Sequence, residues 1–357
     1  MVEWAGLENR NTRKRIVGSN PTLSATNRGC IAMLRILLWV LASGVLAPVS
    51  VAQGLSPEVE VFVGEMVRKH QFEADALRRL FGRAQSRPAI LRAISAPGTA
   101  KPWHEFRART VDAVRIQGGA AFWRRHASTL ERASREFGVP EEIIVATIGV
   151  ETLYGRHTGG YRVLDALTTL AFQYPPRADL FRDQLEEYLL LIRESGLDAM
   201  TIKGSYAGAI GIPQFLPGSY RRYAIDYDGD GRRDLMGNTA DAIGSVANYY
   251  RAHGWLPGQT VVVPAEVAGG DIEALLAAGI KPQLTVGELR RRGVSPVAGV
   301  DDAAVAALFE VESESGPRYY LGFGNFYVIT RYNRSVNYAL AVFELAREIR
   351  ALVRPRS

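Results

Sequence analysis

Glu151 ends one of the most apolar runs of the chain, Ile143-Ile144-Val145-Ala146-Thr147-Ile148-Gly149-Val150. Val139-Pro140-Glu141-Glu142 ahead of it reads as a helix start, with Pro in the first turn and two acids that the helix dipole favours. Gly155 is the expected stop. Glu151 then lies near the C-terminal end of a mostly buried helix. There the dipole gives an anion nothing and burial strips its water, and both effects raise its pKa. A carboxyl that keeps its proton near neutral pH is what a general acid needs. The alternative is structural: a Glu that snorkels from a helix end to solvent, or pairs with Arg156.

Two further stretches carry polar chemistry. Lys203-Gly204-Ser205-Tyr206-Ala207-Gly208-Ala209-Ile210-Gly211-Ile212-Pro213-Gln214-Phe215 is rich in small residues, which let backbone approach backbone or ligand closely. Ser205 and Gln214 would offer a hydroxyl and an amide to a polar, uncharged ligand such as a sugar. A tight turn is the plainer reading of the same composition. The second stretch, Asp226-Tyr227-Asp228-Gly229-Asp230-Gly231-Arg232-Arg233-Asp234, has the spacing of an EF-hand calcium loop. Asp226, Asp228, Asp230 and Asp234 take the acidic positions, Gly231 the sharp turn, and Arg232 the position that ligates through its carbonyl. The last position should be a bidentate Glu and is Gly237, with Asp241 the nearest substitute. Asp-Gly turns in a solvated loop are the competing reading. Calcium here would be structural.

Trp103, Phe106, Tyr249, Tyr250, Trp255, Tyr332 and Tyr338 stand near these motifs in sequence, and sugar rings stack on aromatic faces. Core packing is the commoner fate of any one aromatic. The segment Thr330-Arg331-Tyr332-Asn333-Arg334-Ser335 reads either as a polar cleft wall or as the turn between the last strand and the last helix. Other chemistries fail. Five His and one Cys make no zinc pattern. No dinucleotide fingerprint, P-loop or nucleophile elbow is present.

The elements that must position these groups are mainly helical. Apolar residues recur at helical spacing through 56–135: Val59, Phe62, Val63, Met66 and Val67, then Leu77, Leu80, Phe81 and Ala84, then Ile90, Leu91 and Ile94. A Pro97-Gly98 break follows. Residues 136–255 hold the Glu151 helix, a long helix near 180–195, the Gly-rich stretch and a helix over 240–253. The pattern predicts strands at 261–264, 307–311 and 319–330, with a short helix at 285–292 between them. Residues 256–330 are thus expected to be a small β-containing subdomain. An apolar helix over 338–353 closes the chain and is expected to pack back on the helical part.

The N-terminal region has a different character. Met33-Leu34-Arg35 begins a short basic segment, residues 36–49 are mostly apolar, and Ser50-Val51-Ala52 has the small residues of a cleavage site. Residues 33–52 are read as a signal peptide, and 1–32 as an upstream extension of a protein that starts at Met33. The chain has 43 Lys and Arg against 37 Asp and Glu, a net +6. The first 52 residues hold six of the former and two of the latter, so 37 basic and 35 acidic residues remain, or +2. Nothing in that balance, and no basic run interleaved with aromatics, argues for nucleic acid. Cys30 precedes the apolar segment rather than following it. The expectation is therefore an exported, soluble, periplasmic protein without a lipid anchor or disulfides. No later segment has the length and hydropathy of a membrane span.

Together the motifs resemble the lytic murein transglycosylase B family. The resemblance rests on Lys101-Pro102-Trp103, Gly149-Val150-Glu151-Thr152-Leu153-Tyr154-Gly155, Gly204-Ser205-Tyr206-Ala207-Gly208-Ala209, Pro213-Gln214-Phe215, residues 241–249 and residues 327–333. They run in one order across nearly all of residues 58–350. The resemblance implies a mainly α (α+β) fold. Its parts would be a lysozyme-like catalytic core over 136–255 with its EF-hand-like loop at 226–241, a helical subdomain over 56–135 joined by 335–357, and the small β-containing subdomain. It implies cleavage of the β-1,4 bond between N-acetylmuramic acid and N-acetylglucosamine in peptidoglycan. The muramic C6 hydroxyl attacks C1, leaving a 1,6-anhydro end, with Glu151 as single acid and base and the substrate's N-acetyl group assisting. Ser205, Gln214, Tyr249, Tyr332 and Asn333 fall on cleft positions of the family, and Phe106 falls where a cleft Tyr is usual. Tyr338 joins them as a candidate substrate contact. The family often carries paired arginines near Tyr174-Pro175-Pro176-Arg177 that meet the anionic peptide stem; Pro176 replaces the first, which leaves Arg177. The implied cofactor is a structural Ca²⁺, with no organic cofactor. The implied partner is the glycan strand, with other cell-wall enzymes as further candidates for a monomer. A hydrolytic, lysozyme-type muramidase and a non-catalytic, calcium-stabilised wall-binding protein are the alternatives.

Overall fold

The helical spacings of the first part fold as read. The computed structural model describes residues 54–95, 101–269 and 272–354. The signal-peptide segment, Cys30 and the Pro97-Gly98 break lie outside the described residues. The first helices are α1 (Pro57–His70), α2 (Ala74–Gly82), α3 (Pro88–Ser95), α4 (Trp103–Thr110), α5 (Ala113–Arg125) and α6 (Ala127–Phe137). α1 buries Val59, Phe62, Val63 and Met66, and α2 buries Leu77 and Phe81, the faces their periodicity marks. Then follow α7 (Glu141–Thr152), β1 (Tyr161–Arg162), α8 (Val163–Gln173), a 3₁₀ turn at Pro175–Arg177, α9 (Ala178–Ser195), β2 (Lys203–Gly204), α10 (Pro217–Tyr223) and α11 (Thr239–Ala252).

α7 has no polar stripe, so it needs neighbours on every side. α5, α6, α11 and a long C-terminal helix surround it. Ile143, Ile144, Val145, Ile148 and Val150 are all buried, each contributing roughly 1.5–3 kcal/mol. Together they outweigh the several kcal/mol that carrying one carboxyl into the core costs.

The chain continues through β3 (Val262–Val267), α12 (Ile272–Ala277), β4 (Leu284–Thr285), α13 (Val286–Arg291), β5 (Val294–Pro296), β6 (Val305–Ser313) and β7 (Gly316–Gly322). The strands form an antiparallel sheet in the order β4-β6-β7-β3-β5. Alternation along β6 divides the faces. Leu308 joins Val263, Leu321, Leu275, Val286 and Leu289 in a small core under α12 and α13. Phe309 and Val311 join the large helical core instead. Phe309 stacks on Phe326 at 4.6 Å, which fixes the sheet to the helices.

Two expectations fail here. Residues 319–330 are not one strand: β7 stops at Gly322, and α14 (Gly324–Tyr332) begins at once. Tyr, Val and Ile in this stretch carry strand propensity, but Phe326 and Ile329 stand at helical spacing and both enter the core, so packing overrides it. Strand structure accordingly ends at Gly322, and residues 333–335 link two helices rather than a strand and a helix. The last helix, α15 (Val336–Val353), packs on α7, α5 and α4. It runs antiparallel to α7. Arg350 and Arg354 near its end pair with Glu142 and Glu141 at the start of α7, at 2.6 and 3.2 Å, while Tyr338 near its start meets Glu151.

Candidate active site

Glu151 is the penultimate residue of α7 and 1% exposed. Gly155 does not end the helix. The left-handed turn begins at Leu153, with φ 50°, and continues through Tyr154, with φ 63°. Each left-handed residue with a side chain costs roughly 1–2 kcal/mol. Thr152 explains part of this early stop. Its hydroxyl donates to the Ile212 carbonyl at 2.8 Å and accepts from the Gly155 amide at 3.0 Å. The helix end is thereby tied to the Gly-rich segment.

One Glu151 oxygen, Oε1, accepts a hydrogen bond from the Tyr338 hydroxyl at 2.7 Å, while Oε2 is buried with no hydrogen-bond partner among the described residues. Burial raises the pKa and the Tyr338 hydrogen bond lowers it; burial wins, and the carboxyl is pushed up to about 8. Arg156, the alternative partner, is exposed and makes no ion pair with Glu151 among the described contacts. Other buried carboxylates are engaged elsewhere. Asp165 holds Arg162 and Arg87, Asp241 accepts backbone amides, and Glu141 pairs with Arg354.

The aromatic residues singled out in the sequence are buried rather than offering faces to solvent, and Tyr338 among them meets this carboxyl. Tyr249, Tyr332 and Tyr338 are buried, with ring centroids 4.8 Å apart for Tyr249–Tyr332 and 6.3 Å for Tyr332–Tyr338. Their hydroxyls are directed inward: Tyr249 to the Arg331 carbonyl at 2.6 Å, Tyr332 to the Pro213 carbonyl at 2.5 Å. Burial, then the neighbouring Glu151 carboxylate, pushes the Tyr332 and Tyr338 phenols well above the ordinary tyrosine range. They are permanent donors. Trp103, Tyr250 and Trp255 are core residues, and Tyr250 bonds the Thr147 hydroxyl at 2.8 Å. Phe106 is also buried, on α4, which packs on the Tyr338 helix.

The Gly-rich segment is a turn. Ser205 Oγ accepts from the Ala207 and Ala209 amides at 3.2 and 3.1 Å, which closes the turn. Gln214 has φ 54°, and its Nε2 donates to the Thr158 and Gly211 carbonyls at 3.0 and 2.9 Å. Gly211 must be glycine: its φ is 75°, and a Cβ would collide with the Leu235 backbone. Asn333 has a buried side chain whose oxygen and nitrogen both find no partner among the described residues. Such a group costs about 1–3 kcal/mol unless something else bonds it.

Arg177 does not stand alone. It lines a cavity of about 420 Å³ with Pro175, Pro176, Leu216 and Arg334. Burial lowers its pKa, and the Arg334 guanidinium adds to that effect, as two cations near one another must. Arg334 was missed as a site residue because it is far from Arg177 in sequence; its place directly after Tyr332-Asn333 was the available signal. Near the acidic loop, Asp226, Asp228 and Asp230 bring carboxylate oxygens within 4.8 Å of one another. Asp234 and Asp241 do not join them. Asp234 Oδ1 accepts from the Met236 and Gly237 amides, and Asp241 staples the loop by accepting from Tyr227 N at 2.7 Å and Asp234 N at 2.8 Å. Asn238, also missed, caps α11 and donates to Asp228 Oδ2 at 2.7 Å.

A family-wide sequence profile described as a transglycosylase SLT domain matches residues 54–347. The chain is 40% identical over 304 residues to "Membrane-bound lytic murein transglycosylase B" of Escherichia coli K12, covering 82% of this chain and 83% of that one. Among solved structures, the catenated lytic transglycosylase SltB1 from Pseudomonas aeruginosa superposes with a TM-score of 0.79 at 47% identity, covering 84% of this chain and 98% of that one. The Escherichia coli lytic transglycosylase Slt35 in complex with calcium gives 0.75 at 39% identity, covering 84% and 94%. The mainly α fold expected from the sequence is the fold of these structures.

Proposed function

The chain belongs to the lytic murein transglycosylase B family, and from that premise we propose that Glu151 is its single acid and base. The protein is a peptidoglycan lytic transglycosylase. The observation that carries Glu151's role is a buried carboxyl with one oxygen held by Tyr338, the other unpartnered, and a pKa near 8. At neutral pH it holds a proton to give to the glycosidic oxygen between muramic acid and glucosamine. Bond cleavage leaves cationic character at C1, which the substrate's N-acetyl group stabilises. The Glu151 carboxylate then takes the proton of the muramic C6 hydroxyl as that oxygen closes on C1. One carboxyl serves both steps, in keeping with the engagement of the other buried acids elsewhere. Water-dependent hydrolysis with two carboxylates would want a partner within ~5–9.5 Å of Glu151.

Asn333 and Oε2 of Glu151 are the buried polar groups best placed to receive the sugar, with Ser205, Gln214, Tyr249 and Tyr332 shaping the wall. Phe106 is assigned to support of α15. Arg177 and Arg334 together face the anionic peptide stem. The crowding of Asp226, Asp228 and Asp230 suits a hard cation: three exposed carboxylates so close repel one another unless a cation sits among them. With the Arg232 carbonyl they would hold Ca²⁺, which would pin the loop ahead of α11. Asp234 and Asp241 would act from outside, by bracing the loop. Among the described residues no helix is long and apolar enough to cross a membrane. We assign the protein to the periplasm through the segment at 33–52; a native N-terminal peptide from upstream of Met33 would refute that start.

Replacement of Glu151 by Gln tests the assignment. Lysis of purified peptidoglycan sacculi is expected to fall on the order of 10³-fold or more, with the fold intact by circular dichroism. A well-folded Glu151→Gln protein that clears sacculi at the wild-type rate would overturn it.

A further inference from the structure

Tyr154 is unused by the reaction as described, yet it occupies the most constrained place next to it. It follows Glu151 by three residues and is the second of two left-handed residues with side chains. Its ring lies in a slot cut by three glycines on two helices. A Cβ on Gly118 would come 2.9 Å from Tyr154 Cε2, one on Gly119 2.5 Å from Oη, and one on Gly149 2.7 Å from Cζ. Gly118 and Gly119 stand inside α5 and Gly149 inside α7, positions where glycine weakens a helix. Among the described residues a Cβ at Gly118 would meet only the Tyr154 ring, and the three atoms nearest one at Gly149 all belong to Tyr154. The hydroxyl at the bottom of the slot donates to the Arg115 carbonyl at 2.6 Å, and Phe122 lies 5.4 Å from the ring. The Tyr154 amide reaches back to the Ile148 carbonyl at 3.3 Å. The ring thus clamps the turn after Glu151 onto α5.

We infer that Tyr154 is a positioning residue for Glu151: held in the glycine slot, it keeps the left-handed turn closed, and so aims the carboxyl at Tyr338 and keeps that helix end dry. This rests on the assignment of Glu151 as the acid and base. A helix end that frayed by one turn would free Glu151 to rotate toward water. A misplacement of about 1 Å in a catalytic group can cost 10²-fold in rate. The titratable groups facing Glu151 are Tyr338 on α15, Tyr332 on α14, and Tyr249 and Tyr250 on α11; all are phenols raised above the ordinary range by burial. On α5, Arg115 is paired with Asp112 at 2.7 Å. None of these four phenols titrates where Glu151 does, so a shift in that limb of the pH profile reads Glu151 itself.

The test uses full-length protein on purified peptidoglycan, with kcat, KM and the pH profile measured for each variant. Tyr154→Ala is expected to lower kcat roughly ten-fold or more, with KM within about two-fold of wild type. Its alkaline limb should move down from about 8 toward the ordinary carboxyl range as water reaches Glu151. Tyr154→Phe, which keeps the ring, should recover most of the rate. Gly149→Ala should reproduce the Tyr154→Ala defect alone but add little to it, since the ring it strikes is then gone. Leu289→Ala, in the small sheet core, supplies the control: lower thermal stability with an unmoved limb. Wild-type kcat and an unmoved limb in Tyr154→Ala would overturn the inference, as would additive effects of Gly149→Ala and Tyr154→Ala. If Tyr154→Ala does not fold, Tyr154→Phe and Gly118→Ala are read by the same limb. Activity retained by Glu151→Gln would instead sink the Glu151 assignment, so the two failures are distinct.

Discussion

A carboxyl that titrates near 8 inside a folded protein links its stability to pH as well as its activity. In the unfolded chain Glu151 takes its ordinary value of 4.5. Between about 4.5 and about 8 the folded state keeps a proton that the unfolded state has lost. Stability therefore falls as pH rises through that window, by a total on the order of a few kcal/mol. Glu151→Gln removes the effect. Its Tm should exceed the wild type's by a few degrees at pH 8.5 and match it near pH 4, in thermal melts at both values. An equal difference at both would contradict the burial argument. Tyr338 tests the opposing contribution. Its hydrogen bond favours the ionised carboxyl, so Tyr338→Phe should move the alkaline limb of kcat/KM above about 8. A limb that moved down would show that the bond stabilises the neutral acid instead. Arg334 belongs to the same scale. Arg334→Ala should raise KM severalfold on stem-bearing strands and leave KM on stem-stripped strands unchanged. The loss is that of one charge-assisted contact at a partly solvated site.

Elements were more legible in the sequence than the contacts between them. α1 to α3, α9, α11, α13 and α15 follow from the apolar pattern, and α7 from its apolar run and the start read at Pro140-Glu141-Glu142. α14 did not, because Tyr327-Val328-Ile329-Thr330 has strand propensity and only tertiary packing makes it a helix. Glu151 was visible as a carboxyl out of place in an apolar run. Its partner Tyr338, 187 residues away, was visible only as one aromatic among seven, since pairing across that separation leaves no local pattern. Arg177 and Arg334 meet for the same non-local reason. The acidic loop was read from spacing alone; Asp234 and Asp241 bond backbone amides of the loop instead of joining the cluster of Asp226, Asp228 and Asp230, and we propose that they brace it. Calcium is therefore expected to stabilise the loop and the start of α11. Adding a chelator should lower the Tm by a few degrees, and Asp228→Asn should abolish the chelator's effect. A Tm indifferent to both chelator and added Ca²⁺ would rule the ion out.

At the scale of the whole molecule, the helical core holds α7 on all sides and α15 delivers Tyr338 to its end. The sheet leans on that core through Phe309 and Phe326, outside the reacting centre. The residues after 52 are nearly neutral, so long-range charge does little to draw the protein to its substrate. Recognition is then expected to rest on short-range contacts, which we assign to the unpartnered polar groups of Glu151 and Asn333 and to the arginine pair Arg177 and Arg334. What the protein releases is then the decisive quantity, because a single acid and base can direct either the substrate's own C6 hydroxyl or a water to C1. Mass spectrometry of peptidoglycan digested by the purified protein measures this directly. The account requires muramic ends lighter by one water than hydrolysed ends, the mass of the 1,6-anhydro ring. Reducing ends at the full hydrolysed mass would contradict it.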